Sequence, residues 1–418
     1  MKNLRIACIA FSRHVKFILF VLAALAAAEV WAQTDSLRLA YSVSGKVSDA
    51  RTGKELPAVN IRVSGRQYAT VSNADGVFVI KSDAPIRELV ISHLGYKTVR
   101  QAVAGGEVSV RLTPDKYLLD ASSIVSGDPL EIIRSARKAI SGNYPLQPEL
   151  LRGFYRETLQ KRGRYISVTE AVIRTHKSSY LIPGYHDRTA VDKSRIIVSQ
   201  RRRDTLSVKM RGGPTLPVTM DAVKKHQLLW LDFDRNLYSC EMGLPEYIDD
   251  RLQFVIHISP ASEADYPLYN GTLYIDRETL AFTRIELSTD MSDPDKVTSL
   301  LLVKKPKGLR FIPKEVSFAM SYRPDGGTSR LEYLRATMSF DCDWKKRGML
   351  TSYRLVNETV ITDVLTPAVP ISPEEQFRSS DIMTDKAGEF MDPAFWEDYN
   401  IIAPSESLEH AVGRLRRD

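Results

Sequence analysis

Leu252-Gln253-Phe254-Val255-Ile256-His257-Ile258 decides the fold of the larger part of this chain. Leu252, Phe254, Ile256 and Ile258 alternate with Gln253, Val255 and His257. A period of two marks a strand with one face against a core. Downstream, Leu273 and Ile275 lead through Asp276-Arg277-Glu278-Thr279 into Thr283, Ile285 and Leu287, a second strand, a turn and a third strand. Val316, Phe318, Met320 and Tyr322 repeat the pattern, as do Met338, Phe340, Cys342 and Trp344. Strands this long, joined by turns, make a large antiparallel meander with one buried face.

Upstream the period changes to that of a helix. Asp128 is placed to cap it, Pro129 suits its first turn, and Glu131 stands at capping-box spacing. Leu130, Ile133, Ala136 and Ile140 share one face, and Gly142-Asn143-Tyr144-Pro145 ends the helix. A further helix is expected from Asp221 to Leu231, covering part of the sheet.

Residues 41–113 read differently, as short strands between tight turns. Val59, Ile61 and Val63 alternate with polar residues, and so do Val108, Val110 and Leu112. Thr52-Gly53 and Asn73-Ala74-Asp75-Gly76 are turn chemistry, with glycine where a positive φ is needed. Leu89-Val90-Ile91 and then Gly95-Tyr96 add a strand and a corner. Spacing of this kind predicts an antiparallel sandwich.

The stretches Gly45–Asp49, Thr52–Pro57, Val59–Val63, Ala69–Ile80 and Ile91–Lys97, in that order, resemble the carboxypeptidase-regulatory-like domain family, a transthyretin-like sandwich. In that family the domain is a non-catalytic accessory, so the resemblance implies no peptidase activity. One helix followed by many long antiparallel strands is similar in architecture to the curved half-barrel of periplasmic lipoprotein carriers. Gly271-Thr272-Leu273-Tyr274-Ile275-Asp276-Arg277-Glu278-Thr279-Leu280-Ala281 looks like a hairpin of exported proteins that carry the same accessory domain. A membrane barrel follows in some such relatives; none is expected here.

The fold class expected is thus mostly β: an N-terminal transthyretin/Ig-like antiparallel sandwich, then an α+β domain with a large curved antiparallel sheet and few helices. The expected boundaries are a signal peptide at 1–32, the sandwich at 41–113, a linker at 114–127, the helix-and-sheet domain at 128–402 and a charged tail at 403–418. Lys2, Arg5, Arg13 and Lys16 precede or open an apolar run at Phe17–Ala28, and Val30-Trp31-Ala32 offers a cleavage point. That run is short for a bilayer span and reads as an export signal. The formal charge is +7, of which four bases and Glu29 in the signal supply +3, leaving +4. Nucleic acid is not an expected partner, since no aromatic-basic interleaving accompanies the one dense run, Arg201-Arg202-Arg203. Cys240 and Cys342 remain after export, as a bridge or as free thiols.

No catalytic, cofactor-binding or metal residue is assigned, and no cofactor is expected. His93, His176, His186, His226, His257 and His410 all lack a glutamate three residues on, which a zinc carboxypeptidase needs. Gly-x-Ser-x-Gly is absent. Ser135 and Lys138 stand at Ser-x-x-Lys spacing without partner motifs, and Asn73 with Asp75 are turn caps before they are calcium ligands. The expected protein is a non-catalytic, exported envelope protein. It binds or carries a lipid, lipoprotein or glycan at the periplasmic side of the outer membrane, which requires an apolar groove unfilled by its own side chains. A structural or assembly protein with an envelope partner requires a filled core and an exposed apolar patch. An unrecognised hydrolase requires a polar cleft of clustered carboxylates or histidines. Asp392-Pro393-Ala394-Phe395-Trp396-Glu397-Asp398-Tyr399 is either a docking peptide or a tail folded back on the sheet.

Overall fold

The computed structural model describes residues 39–115, 127–182, 187–201, 399–415 and, between 204 and 386, all but 205, 207, 211–212, 225–232, 234 and 345–348. The export segment, most of the linker, His186, His226, Arg202, Arg203 and residues 392–398 lie outside the described residues.

The sandwich has β1 (Tyr41–Asp49), β2 (Asn60–Val63), β3 (Ala69–Val71), β4 (Val77–Ser82), β5 (Glu88–Ser92), β6 (Val99–Ala102) and β7 (Glu107–Leu112). One sheet runs β4-β1-β7 and the other β3-β2-β5-β6. Every pair is antiparallel except β1 with β7, which is parallel. Alternation puts Val43, Val47, Val59, Ile61, Phe78, Ile80, Leu89, Ile91, Val110 and Leu112 between the sheets. Gly76 is required where it stands: its φ is +71°, and a Cβ there would lie 2.3 Å from the Val47 carbonyl oxygen.

The second part begins with α1 (Pro129–Lys138) and α2 (Ile140–Asn143). Asp128 caps α1 by accepting from the Leu130 amide, while Glu131 pairs forward with Arg134. Strands β8 (Glu149–Lys161), β9 (Arg164–Lys177) and β10 (Arg188–Val198) follow. After β11 (Lys209–Met210), a 3-10 turn at Gly213–Thr215 and α3 (Leu216–Thr219) come β12 (Tyr238–Met242), β13 (Glu246–Ile248), β14 (Arg251–Pro260), β15 (Tyr269–Asp276) and β16 (Phe282–Thr289). Then come α4 (Pro294–Leu301), β17 (Leu302–Lys304), β18 (Leu309–Asp325), β19 (Thr328–Trp344), β20 (Met349–Leu365), β21 (Gln376–Phe377) and α5 (Glu406–Leu415). The 12-stranded sheet runs β12-β14-β15-β16-β18-β19-β20-β8-β9-β10-β21, with β13 on the side of β14. Each of its pairings is antiparallel.

Where a helix was expected from Asp221, the chain has already left α3. Ala222–Lys224 form a turn, and 225–232 lie outside the described residues. Asp221 is wholly buried as a hydrogen-bond acceptor, taking the Lys224 amide as well as side chains, and Phe233 is helical.

Residues 399–415 are threaded between sandwich and sheet. Asn400 accepts from the Lys81 amide at 2.6 Å and donates to the Lys81 carbonyl at 3.0 Å, satisfying the free edge of β4. Thr70 donates to the Ile401 carbonyl, and Arg156 donates to the carbonyls of Ile402 and Ala403. Asp75 then accepts from the Glu406 amide at 2.7 Å, at the start of α5. Leu408 and Leu415 pack with Val168 and Ile197. The residues read as a charged tail therefore include a packed helix. The β13–β14 turn supplies a second tie: Asp249 and Asp250 have φ of 50° and 59°, Asp249 pairs with Arg62 at 3.2 Å, and Asp250 accepts from the Thr98 amide.

Candidate functional site

The sheet has an inner face towards α1 and an outer face towards the sandwich and tail. On β14 to β19 the inner positions are Ile256, Leu273, Ile285, Leu287, Val316, Phe318, Met320, Leu334, Ala336, Met338 and Phe340. They pack against Ile133, Ala136, Ile140, Tyr144, Leu216, Ala222 and Val223 in one cluster. That half of the face is filled by the protein's own side chains.

On β20, β8, β9 and β10 the same face turns polar. The register sets Asn357 opposite Glu157 and Glu157 opposite Thr169, while Thr359 faces Tyr155, Tyr155 faces Ala171, and Ala171 faces Ser194. Cross-strand neighbours of this kind stand about 5 Å apart. Tyr155, Thr169, Ser194, Asn357 and Thr359 are each at most 1 % exposed, whereas Glu157 is half-buried. Asn357 Nδ2, Thr169 Oγ1, Thr359 Oγ1 and Ser194 Oγ have no hydrogen-bond partner among the described residues. Each buried, unmet polar atom costs about 1–3 kcal/mol. Four such atoms share this one face.

Proton counting sharpens this. The Tyr155 hydroxyl lies 2.8 Å from Glu157 Oε2 and 2.9 Å from Asn357 Oδ1, but it carries one proton for two acceptors. Burial pushes the Glu157 carboxyl above its usual range, against the hydrogen bond from Tyr155. A neutral Glu157 closes the count by donating to Tyr155, which donates to Asn357; an ionised Glu157 closes it equally when the Asn357 amide is reversed and donates to Tyr155. Either way the row is a short chain of hydroxyls, one amide and one carboxyl, which suits hydrogen bonding to a polar group.

A lid crosses this face beside the row. A Cβ at Gly213 would lie 3.7 Å from the Tyr155 oxygen, so the 3-10 turn lies beside that hydroxyl. Asp221 pins the segment that follows. Its carboxylate accepts from Lys177, from Tyr180 at 2.9 Å and from Tyr322 at 2.8 Å. Burial alone would raise the Asp221 pKa, but Lys177 and the two phenols outweigh it and hold it low. Lys224 reaches the Ser178 carbonyl and Asp187, each at 2.6 Å. Burial lowers the Lys224 pKa, against the pull of Asp187. The members of this network are buried, and Tyr322 alone among those named also lines a cavity, on the side of Asp249 and Thr283.

The residues weighed from sequence lie elsewhere. His93 sits at the seam between sandwich and sheet, where burial, and then Arg284, lower its pKa to about 4. His257 is on the outer face beside Thr272, His176 is on β9, and His410 is on α5. Among the described residues, no group of three or more histidines, cysteines or carboxylates is placed to hold a metal. Ser135 and Lys138 lie on α1, away from the polar row. Asn73 Oδ1 accepts from the Asp75 and Val77 amides, and its amide donates to the Pro404 carbonyl. Cys240 and Cys342 are free thiols. Sequence reading missed the polar row. Its only signal was Tyr155-x-Glu157 and Asn357-x-Thr359, polar pairs two apart within strands that carry polar residues on the opposite face as well.

No curated protein sequence matches the chain. Among solved structures, a DUF1329 family protein from Desulfovibrio piger aligns at 11% identity and TM-score 0.26, covering 59% of this chain and 96% of that one. A LolA superfamily protein from Nitrosomonas europaea aligns at 9% identity and TM-score 0.22, covering 60% of this chain and 99% of that one. Residues 43–124 match the family model of the CarboxypepD_reg-like domain, the accessory sandwich to which β1–β7 correspond.

Proposed function

We propose that this is a non-catalytic, exported envelope protein that binds an amphiphile, a lipid or the acylated end of a lipoprotein, on the inner face of its sheet. Residues 1–32 direct export, and the site of action is the periplasmic side of the outer membrane. The observation that carries this reading is the row of four buried polar atoms without partners, bordering a continuous apolar cluster on one curved face. Ester or amide carbonyls of the ligand meet Asn357 and the hydroxyls, and its chains lie along the apolar cluster that the row borders. No histidine, metal cluster or nucleophile–base pair joins the row among the described residues, which fits binding and not turnover.

Native mass spectrometry of the mature protein, released gently from its own envelope, tests this. The expected result is added mass of one lipid class, lost when Asn357→Leu and Thr169→Val make the row apolar. Clean protein mass in both forms overturns it. One observation favours a structural or assembly role instead: the apolar half of the face is already filled. Under that reading the clean mass is accompanied by a co-purified envelope protein.

A further inference from the structure

The outer face of the sheet carries a second feature, which the inner-face reading does not use. A groove of about 520 Å³ lies across β14, β15, β16, β18 and β19, beyond the part of the face that the tail covers. Its cause is visible in the register. Asn270, Ser288, Ser317 and Thr337 stand side by side across four strands as one row of short hydroxyl and amide groups. In the next row Glu286 and Arg335 flank Ala319, whose methyl group leaves a gap between two long charged side chains. Short residues make the floor and charged ones the walls.

We infer that this groove binds a neutral oligosaccharide. Strands are about 4.8 Å apart, so the row spans about 15 Å, the length of a short run of sugar rings. Each sugar hydroxyl both donates and accepts, which matches hydroxyls and an amide in series. Glu286 takes the Arg284 Nε–H at 2.7 Å, and Arg335 reaches Glu358 at 3.1 Å, so both walls are held in place at the groove. A carboxylate that accepts paired hydroxyls, facing a guanidinium that donates to them, suits a polyol. Alternatives fit less well. A polyanion meets Glu286, and a peptide strand needs a sheet edge where this is a face.

The test is a printed array of neutral bacterial and plant oligosaccharides, followed by calorimetric titration of the mature protein with the tightest binder. Oligosaccharides are expected to bind better than their monosaccharides. Ser317→Tyr, which fills the groove, and Glu286→Gln, which removes the paired acceptor, should each weaken binding about tenfold or more with unchanged thermal midpoint. Absence of binding across the array overturns the inference, as does binding indifferent to both substitutions. The lipid mass sought on the inner face is independent of these variants, so the two readings fail separately.

Discussion

Glu157 carries a pH dependence whose sign follows from its surroundings. Burial raises its folded-state pKa above the unfolded value, against the hydrogen bond from Tyr155. The stability held by its neutral form is fully present below the unfolded carboxylate range and is lost as pH rises through the folded pKa. Glu157→Gln keeps a donor towards Tyr155 at every pH. It should therefore stabilise the protein at pH 7 by about 1 kcal/mol, and by nothing near pH 4, in denaturant titrations at both values. Asp221 behaves oppositely, because it is the ionised partner of Lys177. Asp221→Asn leaves a buried ammonium facing a neutral amide and should cost about 3–5 kcal/mol; adding Lys177→Met should recover much of that loss. The thiols make a third case. Burial first, with Asp128 near Cys240 and Asp341 near Cys342, pushes both up to about 11. A thiol reagent at pH 8 should label neither quickly in the folded mature protein and both after unfolding. A mature chain with no titratable thiol on unfolding would contradict the free state.

Elements differ in how plainly the sequence announces them. Strands β14, β15, β16, β18 and β19 have one packed and one wetter face, so their alternation is readable, and α1 has its cap and its apolar stripe in view. In β8, Phe154 and Tyr155 are adjacent and both are wholly buried. The outer one meets Val71, Tyr333 and Ile402, and the inner one lies beside the lid. With both faces covered, the period of two carries no sign of which is which, and the polar row stays hidden. The strap at 399–405 was hidden for another reason: its bonds run through backbone groups and through Asn400, which no local pattern foretells. That strap makes its own prediction. Asn400→Ala should speed amide exchange at Lys81 by about tenfold or more, since that edge amide loses its acceptor. Unchanged exchange would mean that the strap does not hold β4.

At the scale of the molecule, sandwich, tail and sheet share one buried layer of Val71, Phe154, Val172, Tyr333, Val360 and Ile402. Domains so joined should unfold together. Calorimetry of the mature protein should show one transition, and deletion of 399–418 should split it in two. A single transition in both would show that the Arg62–Asp249 and Thr98–Asp250 ties suffice alone. The accessory sandwich is thereby fixed over the outer face, and the inner face is left to the lid and to the ligand proposed for it. A crystal structure of protein taken from its own envelope, without detergent exchange, bears on that claim most directly. The account predicts continuous density for an amphiphile, with an acceptor oxygen within hydrogen-bond distance of Asn357 Nδ2 and of the Thr169 hydroxyl. Isolated waters on those atoms, with the apolar half still filled, would contradict it.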